Sequence, residues 1–232
     1  MRPFWIGAAV VVMAVACGRS PASHSGAPSG PASLAPIAAV NPANIKKVVR
    51  ELPPGYEVST GIPNGASPPV MWGLAAGATA NPPQCAALAD PGPDHRDGRD
   101  RSAQGVSGSG SGGIVNVVLV GFPAPQGPLV LDRDAVAACG QWTMTAAQTT
   151  VNVRLIDPPH IDGTDTLGML ADIKTSVESG TEIDSRAYVF TAYLGDYYAF
   201  STVTTDPGSA QPALTPQFAA DLLVKTVSTL RS

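Results

Sequence analysis

Residues 112–122, GGIVNVVLVGF, are a run of β-branched apolar residues broken by one polar side chain, Asn116. The run reads as a central strand of a sheet. Its neighbours must also be strands. The segment RAYVFTAYL-GD-YYAFSTVT, residues 186–204, has two aromatic and β-branched runs around Gly195-Asp196, a dipeptide suited to a type II′ hairpin turn. Within Gln141–Ile156, read as one long strand or two short ones, TTVNVRLI alternates cleanly. Val151, Val153 and Leu155 fall on one face, Asn152 and Arg154 on the other. YEVS, residues 56–59, reads as a short strand.

Helices are signalled by their ends. Asn41-Pro42 is an N-cap followed by proline, and Ile45, Val48, Val49 and Leu52 then fall on one helical face. Asp132 caps a short helix to Cys139, with Gly140 as its stop. Asp165 caps an expected helix over 166–179, with Met169, Leu170, Ile173 and Val177 on one side and Gly180 at its end. Thr215-Pro216 opens a last helix with Ala219, Leu222, Leu223, Val227 and Leu230 on a broad apolar face. Residues 61–113 are rich in Pro and Gly. Cys85–Leu88 reads there as a helical turn after Pro82-Pro83, and short strands are expected around Val70–Leu74. The order of elements predicts an α+β fold, a mostly antiparallel sheet with helices packed on it, in a single domain over 41–232.

Export is written in the first residues. Arg2 precedes an apolar run over 4–16 that is too short to span a bilayer and fits the h-region of a signal peptide over 1–16. Ala14-Val15-Ala16-Cys17-Gly18 resembles a bacterial lipobox, with Ala14 where Leu, Val or Ile is usual. Cleavage before Cys17, with a diacylglyceryl group on its thiol and palmitate on the amino group that cleavage frees, would anchor the chain in a membrane. Residues 17–40, the lipidated Cys and a Ser, Pro, Ala and Gly stretch, read as a flexible tether. The expected location is the outer face of the cell membrane, in the envelope.

Of three cysteines, lipidation of Cys17 leaves Cys85 and Cys139 as a pair in an oxidising compartment. A bridge between them is the expected state; two free buried thiols or a catalytic Cys are the alternatives. The chain has 14 basic and 18 acidic residues. That balance argues against nucleic acid as a partner.

No stretch carries a clear catalytic signature. Gly108-x-Gly110-x-x-Gly113 in SGSGSGG follows a polar loop and precedes a strand, the reverse of a dinucleotide fingerprint. It reads as a flexible approach to the sheet and the mobile edge of any cleft. DHRD, residues 94–97, lacks the other elements of a kinase loop. Asp90, Asp94, His95, Asp97 and Asp100 are interspersed with arginines and read as a solvated loop. Asp157, His160, Asp162 and Asp165 each have a structural duty in turns and caps. No metal or cofactor is expected. The aromatic set Tyr188, Phe190, Tyr193, Tyr197, Tyr198 and Phe200 is the candidate ligand groove, because alternation puts some rings on each face of the hairpin.

Several segments together resemble a family of mycobacterial and other actinobacterial envelope lipoproteins of uncharacterised function, the DUF5642-like proteins. They are Cys17, ELPPGYEV at 51–58, PPVMWGL at 68–74, NPPQCAAL at 81–88, GSGSGGIVNVVLV at 108–120 and Cys139. The layout is also similar to extracytoplasmic sensor domains of mycobacterial receptor kinases. The resemblance implies a location and a fold class and brings no catalytic residues. The expected function is a non-enzymatic binding or sensing module for an envelope lipid, glycan or protein. The alternatives are an envelope hydrolase using His160 or His95, and a structural adaptor of a membrane complex.

Overall fold

The computed structural model describes residues 38–75, 77–92, 101–122 and 127–232. Cys17, the signal segment, the tether up to residue 37 and the loop containing His95 lie outside the described residues. Within the unit Ile37–Ser232, one antiparallel sheet organises everything else. Its strands are β1 (Glu57–Ser59), β2 (Thr79–Asn81), β3 (Ser102–Gly110), β4 (Gly113–Gly121), β5 (Gln141–Ala146), β6 (Thr149–Ile156), β7 (Asp165–Ser176), β8 (Glu182–Tyr193) and β9 (Tyr197–Thr204). They run in the order β1-β3-β4-β9-β8-β7-β6-β5-β2. Helices are minor: α1 (Pro68–Met71), α2 (Ala86–Ala89), α3 (Arg133–Ala138), α4 (Pro216–Leu230) and 3₁₀ turns at Pro42–Glu51 and Pro83–Cys85.

The apolar run does form the interior strand β4, and its continuity has a cause. Val115, Val117 and Leu119 face α4 and the Pro42–Glu51 helix, while Val118 and Val120 face the opposite layer with Tyr198 and Phe200. Both sides of the strand are therefore dry. Asn116 is tolerated because its Nδ2 donates to Thr202 Oγ1 at 3.1 Å on the paired strand β9.

Long helix α4 covers one face of the sheet. Thr215 caps it by accepting from Phe218 N, and Leu222, Leu223, Val227 and Leu230 are buried against β4, β8 and β9. The Asn41 cap also forms, but the helix it opens is 3₁₀. Three residues per turn instead of 3.6 carry Val49 off the buried stripe, leaving it 37% exposed while Ile45 and Val48 are sealed. Asn44 repays its burial by donating to the carbonyls of Thr229 and Ser232 at the C-terminus of α4.

Three expectations are corrected. The helix expected over 166–179 is strand β7, all twelve residues of it paired with β8. Met169, Leu170, Ile173 and Val177 have helical spacing, but Leu167, Met169, Ala171 and Ile173 alternate, and two flanking strands decide between the periods by supplying non-local hydrogen bonds. Gly180, at φ +78, closes the β7–β8 turn instead of a helix. The segment Val70–Leu74 holds no strand: Pro68–Met71 is helical, and Trp72 N bonds to Pro68 O.

The third correction concerns SGSGSGG. It is no flexible approach. Ser107–Gly110 end strand β3, paired with β4 on one side and β1 on the other, and Ser111-Gly112 is the hairpin turn. The glycines are there because the ring of Tyr56 lies on them. A Cβ at Gly110 would stand 2.5 Å from Tyr56 Cδ1 and Cε1, and one at Gly112 would stand 2.6 Å from the Tyr56 hydroxyl. That hydroxyl accepts a hydrogen bond from Gly112 N at 3.1 Å.

Candidate ligand cavity

The other face of the sheet carries a thinner layer, and the cavity lies there. The layer starts at the Pro83–Cys85 turn and α2, and it is joined to the end of α3 by the Cys85–Cys139 disulfide, whose Cα atoms are 5.7 Å apart. Pro82-Pro83 cannot continue a strand, so the chain leaves β2 directly into this turn. Cys85 and Cys139 are fully buried among Trp72, Leu88, Trp142 and Met169. A second segment, Gly127–Val130, is held to the sheet by Leu129 N, which donates to Gly195 O at 2.8 Å in the β8–β9 turn.

Between α2, this segment, the start of α3 and the end of β8 is a cavity of about 300 Å³, open to solvent and lined mostly by exposed residues. Its walls are largely apolar, with Leu88, Pro91, Pro128, Leu129 and Val130 among them. Among the described residues two polar side chains line it, the exposed Asp132 and the buried Tyr193. Asp132 caps α3 with one oxygen, Oδ1 accepting from Ala135 N at 2.9 Å. Its other oxygen makes no hydrogen bond among the described residues. Tyr193 is 8% exposed, and its hydroxyl also finds no partner there. Burial, then the charges of Asp165 and Asp132, push the Tyr193 phenol pKa far up. It therefore stays a neutral donor at any physiological pH. Asp165 is the cross-strand neighbour of Tyr193 and forms an ion pair with Arg133.

Behind the cavity a polar cluster bolts the layer to the sheet. Arg101 at the start of β3 donates to both oxygens of Asp90 at the end of α2, at 2.5 and 3.0 Å. The fully buried Tyr198 hydroxyl donates to the same carboxylate at 3.2 Å. Burial, then the Asp90 charge, raise the Tyr198 pKa well above its ordinary value. Trp72 Nε1, Trp142 Nε1 and Thr191 Oγ1, on the same side of the sheet, are buried without a partner among the described residues.

The six aromatic residues of the expected groove are divided by the sheet. Tyr188, Phe190 and Tyr197 pack toward α4. Tyr198 and Phe200 are sealed on the opposite face, with ring centroids 6.1 Å apart. Of the six, Tyr193 alone lines the cavity. The second acidic set is also dispersed. His160 is 90% exposed and pairs with the equally exposed Asp162 at 3.1 Å, while Asp165 turns to Arg133. Among the described residues, no three His, Cys, Asp or Glu side chains converge as metal ligands. Sequence reasoning missed Asp132 as anything but a cap, and it missed the cavity. The wall residues come from three distant stretches, 87–92, 127–132 and Tyr193, and no local spacing announces them.

A family model described as "Domain of unknown function (DUF5642)" matches residues 41–231. Among solved structures, the chain is similar to a putative uncharacterized protein, the Rv0999 ortholog, from Mycobacterium smegmatis. The TM-score is 0.60 and the identity 21%, covering 85% of this chain and 99% of that one. That likeness is one of fold. A second similarity is to the extracellular domain of PknH from Mycobacterium tuberculosis, with TM-score 0.44 and 15% identity over 82% of this chain and 92% of that one. No curated protein matches the chain.

Proposed function

Given that the chain belongs to the DUF5642 family, we propose that it is a non-enzymatic binding or sensing module of the cell envelope, held outside the plasma membrane by a lipid on Cys17. The observation that carries this reading is the open cavity between the disulfide-bridged layer and the sheet, whose described lining is apolar except for one carboxylate and one phenol. A binding site needs such a preformed apolar concavity with few polar groups. The bridge favours an oxidising compartment, in keeping with the lipobox-like Ala14-Val15-Ala16-Cys17.

The hydrolase alternative through His160 lacks support from geometry. A general base needs a nucleophile within hydrogen-bond reach, and the imidazole stands in solvent beside Asp162. The anchor is tested by fractionating cells that express Cys17→Ala. The variant leaves the membrane fraction if Cys17 carries the lipid, and its full retention there would remove the anchor from the account.

A further inference from the structure

Resting on the anchored-module reading above, we propose that the outer face of the Pro42–Glu51 helix docks on anionic phospholipid headgroups through Lys46, Lys47 and Arg50, and so sets which side of the domain faces the membrane. The helix is 3₁₀, so residues three apart eclipse and its side chains form rows. Ile45 and Val48 are the sealed row, packed in the core. The rows of Lys46 with Val49 and of Lys47 with Arg50 are exposed. Arg101, Arg133, Lys174, Arg186 and Lys225 each have a carboxylate partner, and Arg231 is engaged by the carbonyl of Asp162 and the hydroxyl of Thr164. Apart from Arg154 on β6, the cations without such a partner among the described residues are Lys46, Lys47 and Arg50. Glu51, the carboxylate of the same helix, is taken by Lys225 of α4 at 2.8 Å. The segment before the helix brings no other, because residues 1–40 contain no Asp or Glu. The acidic loop of Asp94, Asp97 and Asp100 joins Gly92 to Arg101, whose places against Phe122 and Asp90 are in the layer on the opposite face of the sheet.

The occupant follows from where the patch sits. Asn41 N donates to Leu230 O at 2.8 Å, which fixes the point where the chain enters the domain, and the helix starts at the next residue. At about 2 Å of rise per residue, Lys46 and Lys47 lie about 10 Å along the axis from that point. With residues 17–40 as the tether read from their composition, the domain stays within about 25 Å r.m.s. of its lipid. The cations thus stand beside the attachment point, where a tethered domain is held closest to its bilayer. Each Lys or Arg at an anionic surface raises partitioning about fivefold, so the patch raises it about a hundredfold, screened over about 8 Å at physiological salt. The rest of the described domain carries more carboxylates than cations, and the same surface repels it. Attraction on one face and repulsion elsewhere orient the domain. Val49, 37% exposed in the row of Lys46, adds an apolar contact.

The test places the full lipidated chain on vesicles and reads its own lysines. Acetic anhydride, a neutral reagent, acetylates exposed lysines, and peptide mass spectrometry gives the rate at each. On vesicles of mixed phosphatidylglycerol and phosphatidylcholine, Lys46 and Lys47 should react several-fold more slowly than on pure phosphatidylcholine. Lys174 on β7, three strands from β4, should keep its rate, and high salt should abolish the difference. Arg50→Gln alters an exposed side chain. It should lower the ratio of docked to free domain about fivefold, with melting unchanged. Equal rates for Lys46 and Lys47 on the two kinds of vesicle would overturn the proposal. So would protection in intact envelopes that phosphatidylglycerol vesicles do not reproduce, which would assign the patch to another anionic partner. Flotation with pure phosphatidylcholine reads the anchor separately. A chain that stays behind has no lipid on Cys17, and its lysine rates with excess phosphatidylglycerol vesicles still decide the patch.

Discussion

Gly110→Ala separates the two ways of understanding SGSGSGG, because they predict opposite signs. In a flexible segment, replacing glycine by alanine removes unfolded-state entropy and stabilises by about 0.4–1 kcal/mol. In the structure Gly110 does not occupy the left-handed region, so the backbone itself accepts alanine. The obstacle is Tyr56: the new Cβ would lie 2.5 Å from two ring carbons. Relief requires the ring to lift by about 1 Å to reach ordinary contact. The lift breaks the 3.1 Å hydrogen bond from Gly112 N to the Tyr56 hydroxyl. Overpacking of this kind costs about 1–3 kcal/mol and the hydrogen bond about 1 kcal/mol, so the expected loss is about 2–4 kcal/mol. Urea unfolding followed by circular dichroism measures it. Ser109→Ala, on the exposed side of the same strand, should change stability by no more than about 0.5 kcal/mol. Tyr56→Leu costs stability by itself, but added to Gly110→Ala it should recover part of the loss in a double-mutant cycle. A neutral or stabilising Gly110→Ala would refute the cradle.

Alkaline titration follows from the buried phenols. Tyr193 and Tyr198 both have raised pKa values in the fold, mainly through burial. The stability tied to their neutral forms is complete below the unfolded pKa of about 10 and is lost as pH rises from there toward the folded value. The slope is about −1.4 kcal/mol per pH unit for each phenol. Unfolding midpoints between pH 9 and 11.5 should show that slope, and Tyr193→Phe or Tyr198→Phe should each remove one proton's worth of it. Reduction of Cys85–Cys139, which closes a loop of 54 residues in sequence, should cost about 4 kcal/mol, read as a fall in the urea midpoint with dithiothreitol. Asp90→Ala strands Arg101 and the Tyr198 hydroxyl, so it should cost more than Tyr198→Phe, about 3 against about 1–2 kcal/mol. Equal losses would show that Asp90 is not the hub of the cluster.

What could be read from the chain was what local chemistry decides. Asp132 and Thr215 cap α3 and α4 through their own side chains, and Gly195 turns the β8–β9 hairpin at φ +76. The run over 112–122 needs only its composition to declare a buried strand. Strand β3 was illegible because Ser and Gly have low strand propensity, and its reason for existing, the Tyr56 ring, stands some fifty residues earlier. Strand β7 was misread because its apolar residues satisfy both periods until β6 and β8 are in place. The aromatic residues were rightly divided between two faces, yet a sheet covered on both sides leaves little room for a groove. The cavity arises where Leu88, Leu129, Asp132 and Tyr193 meet, a juxtaposition made by the disulfide and the Leu129–Gly195 hydrogen bond.

Native mass spectrometry of the full chain, purified from its own host in mild detergent, bears most directly on the binding role. Ala87 is exposed at the cavity mouth, so Ala87→Phe can block entry without disturbing the core. The account predicts a small-molecule adduct on the wild-type protein that is missing from Ala87→Phe. A wild-type protein with no adduct, or an adduct that survives the block unchanged, would contradict it.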